Sequence, residues 1–348
     1  MPVRRLTPSA SRMFQETGEI AENAGRQQTR NAVPAGQIAE KLKRIAPKFI
    51  LTCARGSSDH AATYAKYLFE TQMGLAVCSF APSVASLYAA QTDFREAVFI
   101  SISQSGRSPD LLSASRAAKA GGAYVVAVVN DEASPLAGLA DDVLPIGAGP
   151  ELSVAATKSC IGAMSALYHL CAEWRGEDRM RSALATLPET LAQAWSLDWP
   201  EAVAPLCGAR QALILSRGIG LAGAQEAALK LKETCMIQAE GFSAAEVRHG
   251  PMTIVGEGFP VIAIATFDAS QESIDSVSRE FLRSGAWVLV AGKPVDGASC
   301  LPTPRAPDSN LQPLVFLQAF YKFANALSFD RGLDPDNPRN LSKVTKTV

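Results

Sequence analysis

Apolar and polar residues alternate along the chain as short continuous apolar runs and stretches with helical spacing. The runs at residues 48–53, 75–80, 97–102, 123–129 and 142–145 are apolar without alternation, as strands are when both faces of a parallel sheet are covered. Between them, segments such as 61–72 and 110–120 place apolar residues at helical spacing. The pattern predicts an α/β class built on doubly wound parallel sheets flanked by helices, an α-β-α sandwich. Residues 13–23 and 37–45 read as two helices divided by Pro34, and another helix opens after Pro150 and ends near Trp174. From 175 to 205 the pattern is helical with no strand. A second cycle then begins, with strands at 211–216, 260–266 and 286–291 and a helix at 311–329. Arg217-Gly218 matches Arg55-Gly56, and Asp330-Arg331-Gly332 matches Trp174-Arg175-Gly176, at an offset of about 160 residues, which predicts duplication of a whole domain. The expected divisions are a helical segment over 1–46, a first domain over 47–180, a helical linker over 181–205 and a second domain over 206–348.

Composition narrows the function classes. Of 348 residues, 47% are hydrophobic and 19% charged, and the formal net charge of −1 comes without a basic block. Nucleic-acid and anionic-membrane partners have no electrostatic support in such a chain. No apolar run reaches the length of a membrane span, and the start Met1-Pro2-Val3-Arg4-Arg5 lacks the apolar stretch of a signal peptide. The seven cysteines, at 53, 78, 160, 171, 207, 235 and 300, lack zinc spacing and fall mostly in apolar segments. They read as small buried hydrophobes, and the expected location is a reduced cytoplasm. Neither a metal nor a cofactor is expected.

Candidate chemistry concentrates in two stretches. The apolar run ending at Ile102 stops in Ser103-Gln104-Ser105-Gly106-Arg107-Ser108, directly before the helical segment from Asp110. Hydroxyls, an amide and backbone N–H groups at a helix start suit a phosphate, although such serines can simply cap the helix. The loop has no lysine, which points to a sugar phosphate rather than a nucleoside triphosphate. Its counterpart in the second half is Thr266-Phe267-Asp268, so the phosphate loop is expected in the first half alone. In the second stretch, Glu226, Lys230 and Glu233 share one helix face. His249, one of three histidines, stands at a Gly-Pro break beyond Gly241. A carboxylate and an imidazole form a workable acid–base pair, while a solvated salt-bridge ladder is the plainer alternative. His60 and His169 fall inside apparent helices and read as structural. The run Gly218-Ile219-Gly220-Leu221-Ala222-Gly223 fits a dinucleotide fingerprint, but the next strand is expected only near Pro260, with no acidic residue ending a strand at the required distance. Close helix–strand packing is the expected use of those glycines.

Ser103-Gln104-Ser105-Gly106, Ser153-Val154-Ala155-Ala156-Thr157-Lys158, Ala228-Leu229-Lys230-Leu231-Lys232-Glu233, Arg248-His249-Gly250-Pro251 and the tail from Asp334-Pro335-Asp336 to Lys343 resemble the sugar isomerase (SIS) domain family. They are similar above all to the isomerase half of glucosamine-6-phosphate synthase and its stand-alone relatives. The resemblance implies two tandem SIS domains, with the active site between them and across a homodimer interface. It implies phosphate binding by Ser57, Ser58, Ser103, Gln104, Ser105 and Ser108, and sugar contacts at Gly56, Val154 and Ala155. Glu233 would move a proton between C2 and C1, with Glu226 and Lys230 beside it. His249 of the neighbouring subunit would open the sugar ring, and Lys343 would line the site. No glutaminase part with an N-terminal cysteine stands in the sequence, so ammonia is not expected to come from glutamine. Arg107-Ser108-Pro109 replaces the family's usual Glu-Thr. That variant, with Pro150-Glu151-Leu152-Ser153-Val154, resembles the stand-alone glucosamine-6-phosphate deaminases. The expected activity is therefore conversion of glucosamine 6-phosphate to fructose 6-phosphate and ammonia. The alternatives are an aldose–ketose phosphosugar isomerase, a fructosamine-phosphate deglycase and a non-catalytic phosphosugar-binding regulator. A regulator would want a basic DNA-binding module, for which residues 1–46 are too short and unpatterned.

Overall fold

The computed structural model describes residues 7–343; the start of the chain, considered above for a signal peptide, lies outside them. Two five-stranded sheets, all parallel, carry the fold. The first holds β1 (Phe49–Cys53), β2 (Ala76–Ser79), β3 (Ala97–Ser103), β4 (Tyr124–Val129) and β5 (Asp142–Pro145) in the order β2-β1-β3-β4-β5. The second holds β6 (Gln211–Ser216), β7 (Gln238–Ser243), β8 (Pro260–Ile264), β9 (Trp287–Ala291) and β10 (Ser299–Leu301) in the order β10-β9-β8-β6-β7. Read from the β7 edge, the second sheet repeats the first strand for strand, and the expected α/β class with two repeated parallel-sheet units stands. The apolar runs become strands because both sheet faces are covered: every residue of β3 and of β8 is buried.

The helices are α1 (Arg12–Gly18), α2 (Ile20–Ile45), α3 (Ser57–Met73), α4 (Pro82–Ser86), α5 (Pro109–Ala120), α6 (Pro135–Leu139), α7 (Lys158–Arg175), α8 (Asp178–Trp195), α9 (Val203–Cys207), α10 (Gly220–Cys235), α11 (Gln271–Arg283) and α12 (Gln312–Asp330). The chain forms two compact units. One comprises the segment up to Ala21, then Leu152–Thr157 and Pro188–Lys343; the other comprises Glu22–Glu151 and Lys158–Leu187.

Three local expectations change. Pro34 does not divide the N-terminal helical stretch, and α2 runs through it for 26 residues. The proline removes one backbone hydrogen bond, but the helix is held on both sides of it. Gln27 Nε2 and Asn31 Nδ2 donate to the carbonyls of Gly162 and Pro145, and Lys41 pairs with Asp142 at 2.7 Å. Ala35, Ile38, Ala39 and Leu42 are buried beyond the proline. The second change is β7, a strand where the sequence reads as the end of a helix. The third concerns cysteines: 53, 160, 171 and 235 are buried, but Cys78 and Cys300 are exposed. Burial pushes the Cys53 thiol up to about 12 and that of Cys235 up to about 11.

Candidate active site

In the unit built on the first sheet, β1 and β3 are neighbours, with Cys53 opposite Ser101. The turns leaving their carboxyl ends therefore lie side by side, at the edge where open parallel sheets take ligands. The β1–α3 turn supplies Gly56, Ser57 and Ser58; Gly56 has a φ of +57° and lets the chain enter α3 sharply. The β3–α5 turn supplies Ser103, Gln104, Ser105 and Ser108. Arg55 Nε donates to the buried Asp110 carboxylate of α5 at 2.9 Å and so ties the two turns together. Neither Arg55 nor Asp110 stood out in the sequence, because an Arg and an Asp 55 positions apart carry no motif.

The serines are not spent on capping. Ser108 occupies the position before α5 without a side-chain capping bond. Ser103 Oγ accepts the Gly106 N–H at 3.0 Å and Ser105 Oγ accepts the Arg107 N–H at 3.3 Å. A hydroxyl that accepts in this way still has its O–H to donate, and a phosphate oxygen is a suitable acceptor. Gly106 must be glycine: its φ is +61°, and a Cβ there would lie 2.2 Å from Ser134 Oγ. Arg107 turns aside to Asp131 at 2.8 Å, where its hydrogen bond lowers the Asp131 carboxyl below the usual range.

The corresponding turn of the second sheet is closed on itself. Asp268 Oδ1 accepts from Ser270 N at 2.8 Å and from Thr266 Oγ1 at 2.9 Å. Gln271 Oε1 accepts the N–H groups of Thr266 and Phe267. A carboxylate thus occupies the donors of this turn.

The other unit carries the acid–base candidates. Gly218, with φ +60°, and Gly220 open α10; a Cβ on Gly220 would lie 2.1 Å from Ser216 Oγ and 2.8 Å from Thr266 Cγ2. Close packing thus accounts for that glycine. The expectation that no strand follows until Pro260 is corrected by β7, although β7 ends in Ser243 rather than in an acidic residue. On α10, Lys230 is wholly buried, 3.4 Å from the buried Glu226 and in contact with the half-buried Glu233. The plainer reading of a solvated ladder is thereby overturned, since two of its three members are out of water. A buried ammonium is tolerable when carboxylates and hydrogen bonds surround it. Tyr321 of α12 completes the array, its hydroxyl donating to Glu226 Oε1 at 2.9 Å. Nothing in the sequence marked Tyr321, which lies in an apolar helix 95 positions away.

His249 ends the short helical turn Glu246–His249 that follows β7, and it is exposed. Gly250, with φ +137°, turns the chain behind it. Glu233 and His249 share no hydrogen bond or ion pair among the described residues. Val154 is half-buried and Ala155 buried in a segment without regular structure, and Lys343 is half-buried at the end of the described chain. His60 lies within α3, and His169 is buried in α7, where burial lowers its pKa. A cavity of about 590 Å³ lined by Arg210, Gln211, Phe259 and Trp287 opens at the amino ends of β6, β8 and β9, opposite the edge where parallel sheets place their chemistry. Among the described residues no His, Cys, Asp and Glu cluster could hold a metal ion, and no helix is long and apolar enough to cross a membrane.

Two sheets of one strand order, one with a serine-rich turn after β3 and the other with a buried carboxylate–lysine array beside it on α10, define a duplicated α/β protein. The SIS domain model matches residues 45–172 and 206–294, and the chain belongs to the SIS domain family. It is 32% identical over 315 residues to a glutamine–fructose-6-phosphate aminotransferase (isomerizing) from Methanothermobacter thermautotrophicus, covering 88% of this chain and 52% of that protein. The chain thus spans about half the length of the curated relatives it matches. Among solved structures, a candidate phosphosugar isomerase from Silicibacter pomeroyi DSS-3 is 42% identical with a TM-score of 0.90, over 94% of this chain and 100% of that one. A glucosamine-6-phosphate deaminase from Thermotoga maritima has a TM-score of 0.78 over 97% of this chain and 100% of that one; at 21% identity this likeness shows the fold alone.

Proposed function

We propose that this chain is a phosphosugar deaminase that converts glucosamine 6-phosphate and water to fructose 6-phosphate and ammonia, working as a homodimer in the cytoplasm. The observation that carries the reading is the array on α10, in which Lys230 is buried against two carboxylates while Glu233 keeps partial access to solvent. Such a carboxylate can take and return a proton while the fixed cation beside it holds its orientation. Ser57, Ser58, Ser103, Gln104, Ser105 and Ser108 hold the phosphate, and Gly56, Val154 and Ala155 contact the sugar. His249, exposed at its turn, is supplied by the partner subunit and moves the proton that opens the ring. Glu233 removes the C2 proton and leaves an enolamine, and the proton returns at C1 to give the C2 imine. Water adds to the imine, and ammonia leaves as the ketone forms. Lys343 lines the site from the tail. The loop variant Arg107-Ser108-Pro109, similar to the stand-alone deaminases, supports deamination over transfer.

The test is incubation of the purified protein with a panel of amino-sugar and neutral-sugar phosphates, with ammonia and ketose assayed separately. Equal release of ammonia and ketose from glucosamine 6-phosphate is expected. Ketose from a neutral aldose phosphate without ammonia would replace the deaminase with an aldose–ketose isomerase. Ammonia-free binding without turnover of any sugar would end the enzymatic reading.

A further inference from the structure

The segment Leu152–Thr157 contains neither helix nor strand, yet Ser153 and Ala155 are fully buried. Without a ladder to satisfy its backbone groups, its path depends on side chains that accept its N–H groups. Glu16 of α1 does this. Its buried carboxylate accepts the N–H of Leu152 through Oε1, and the N–H of Ser153 through Oε1 at 3.3 Å and Oε2 at 3.2 Å. Hydrogen bonds to an ionised acceptor are the strong ones, and here they hold the two residues immediately before Val154.

The element presenting Glu16 is itself fixed. Asp336 accepts the N–H groups of Arg12 and Met13 at 2.7 and 3.0 Å. Ser11 Oγ accepts the Phe14 N–H at 3.2 Å and donates to Asn325 Oδ1 at 2.7 Å. Gln318 Nε2 donates to the Thr17 carbonyl at 3.0 Å. The far end of the segment is closed by a second buried carboxylate, Glu151, which accepts from Ser159 N at 3.0 Å and Ser159 Oγ at 2.6 Å.

We infer that Glu16 is a positioning residue for the sugar end of the substrate, acting through the backbone of Leu152 and Ser153. The inference rests on the phosphosugar reading above and on the assignment of Val154 and Ala155 to the sugar. It separates two halves of ligand recognition: the phosphate is assigned to the β1–α3 and β3–α5 turns, and the sugar to the segment whose backbone Glu16 holds. A preorganised segment adds affinity because its ordering does not have to be met at binding.

The test titrates fructose 6-phosphate and inorganic phosphate by calorimetry into the full chain and its E16A and E16Q variants, with thermal melting of each. In E16A, fructose 6-phosphate should bind about 10-fold more weakly while inorganic phosphate stays within about 2-fold. E16Q retains one acceptor oxygen and should recover most of the loss. Equal affinity of E16A and the parent for fructose 6-phosphate would overturn the inference. So would parallel weakening of both ligands, because general loosening does not discriminate between them. If E16A fails to fold, E16Q decides: a loss of about 3-fold confined to the sugar phosphate supports the role, and no loss overturns it. A parent that binds phosphate but not fructose 6-phosphate defeats the phosphosugar reading itself, whereas tight binding by both parent and E16A defeats only the role of Glu16.

Discussion

Glu233 owes its situation to one neighbour. Lys230 cannot move to water from its buried position, so its ammonium stays beside Glu233 and Glu226. Replacing Glu233 with Gln keeps size and hydrogen-bonding reach but removes the proposed proton acceptor. Turnover should collapse while fructose 6-phosphate still binds, and exchange of deuterium at C2 should stop. Retained C2 exchange in that variant would move the base elsewhere, with Glu240 and Glu246 next to be tested. At the proposed phosphate end, Ser103 and Ser105 use their oxygens to accept loop N–H groups, and a hydroxyl that accepts can still donate. Replacing both with Ala should cost on the order of 1.5–3 kcal/mol per lost bond to the charged phosphate. The loss should read mainly as a raised KM, with unphosphorylated glucosamine a poor substrate for the parent. An unchanged KM in the double variant would remove these serines from the phosphate site.

Among the elements, α10 and β7 are the pair on which the proposed acid–base face depends. Gly241 of β7 lets the strand lie against the helix backbone, since a Cβ there would come 2.7 Å from Ala224 C, Gln225 Cα and Gln225 N. Backbone cannot step aside as a flexible side chain can. Gly241→Ala should therefore cost about 1–3 kcal/mol and lower turnover together with melting temperature, because the displaced helix carries Glu226, Lys230 and Glu233. A variant that melts like the parent would show that the strand shifts freely. The same strand shows where sequence reading stops. Gln238-Ala239-Glu240-Gly241-Phe242-Ser243 is polar and contains a glycine because β7 is an edge strand, paired only with β6. The central strands were legible because burial on both faces leaves an apolar run. The three-residue β10 at the opposite edge left no such trace. The α10 triad could be read from helical spacing, but Tyr321 and Glu16 could not. Each meets its partner through tertiary packing, across 95 and 136 positions of chain, and nothing local in either helix records it.

For the whole molecule, the proposed supply of His249 by a partner subunit has a stringent consequence. Chains carrying Glu233→Gln and chains carrying His249→Asn should each be nearly inactive. When the two are dissociated and mixed, a heterodimer with donation across subunits has one site with both groups intact and one with neither. Activity should return, up to one working site per heterodimer. Confirmed heterodimers without recovered activity would place the imidazole in its own chain's site and refute the exchange. The route of the chain through its two units carries a different consequence, for biosynthesis. The described residues of the unit of Glu22–Glu151 and Lys158–Leu187 have all been made once residue 187 has been added. The other unit packs α1, which precedes that stretch, against residues that follow it, since Ser11 bonds Asn325 and Met13 bonds Asp336. Contacts so distant in sequence carry a large loop-closure cost before they form. The nascent α1 therefore has to wait for its partner while the 314 positions from Ser11 to Asn325 are made, and the unit that α1 belongs to is finished after the one made in between.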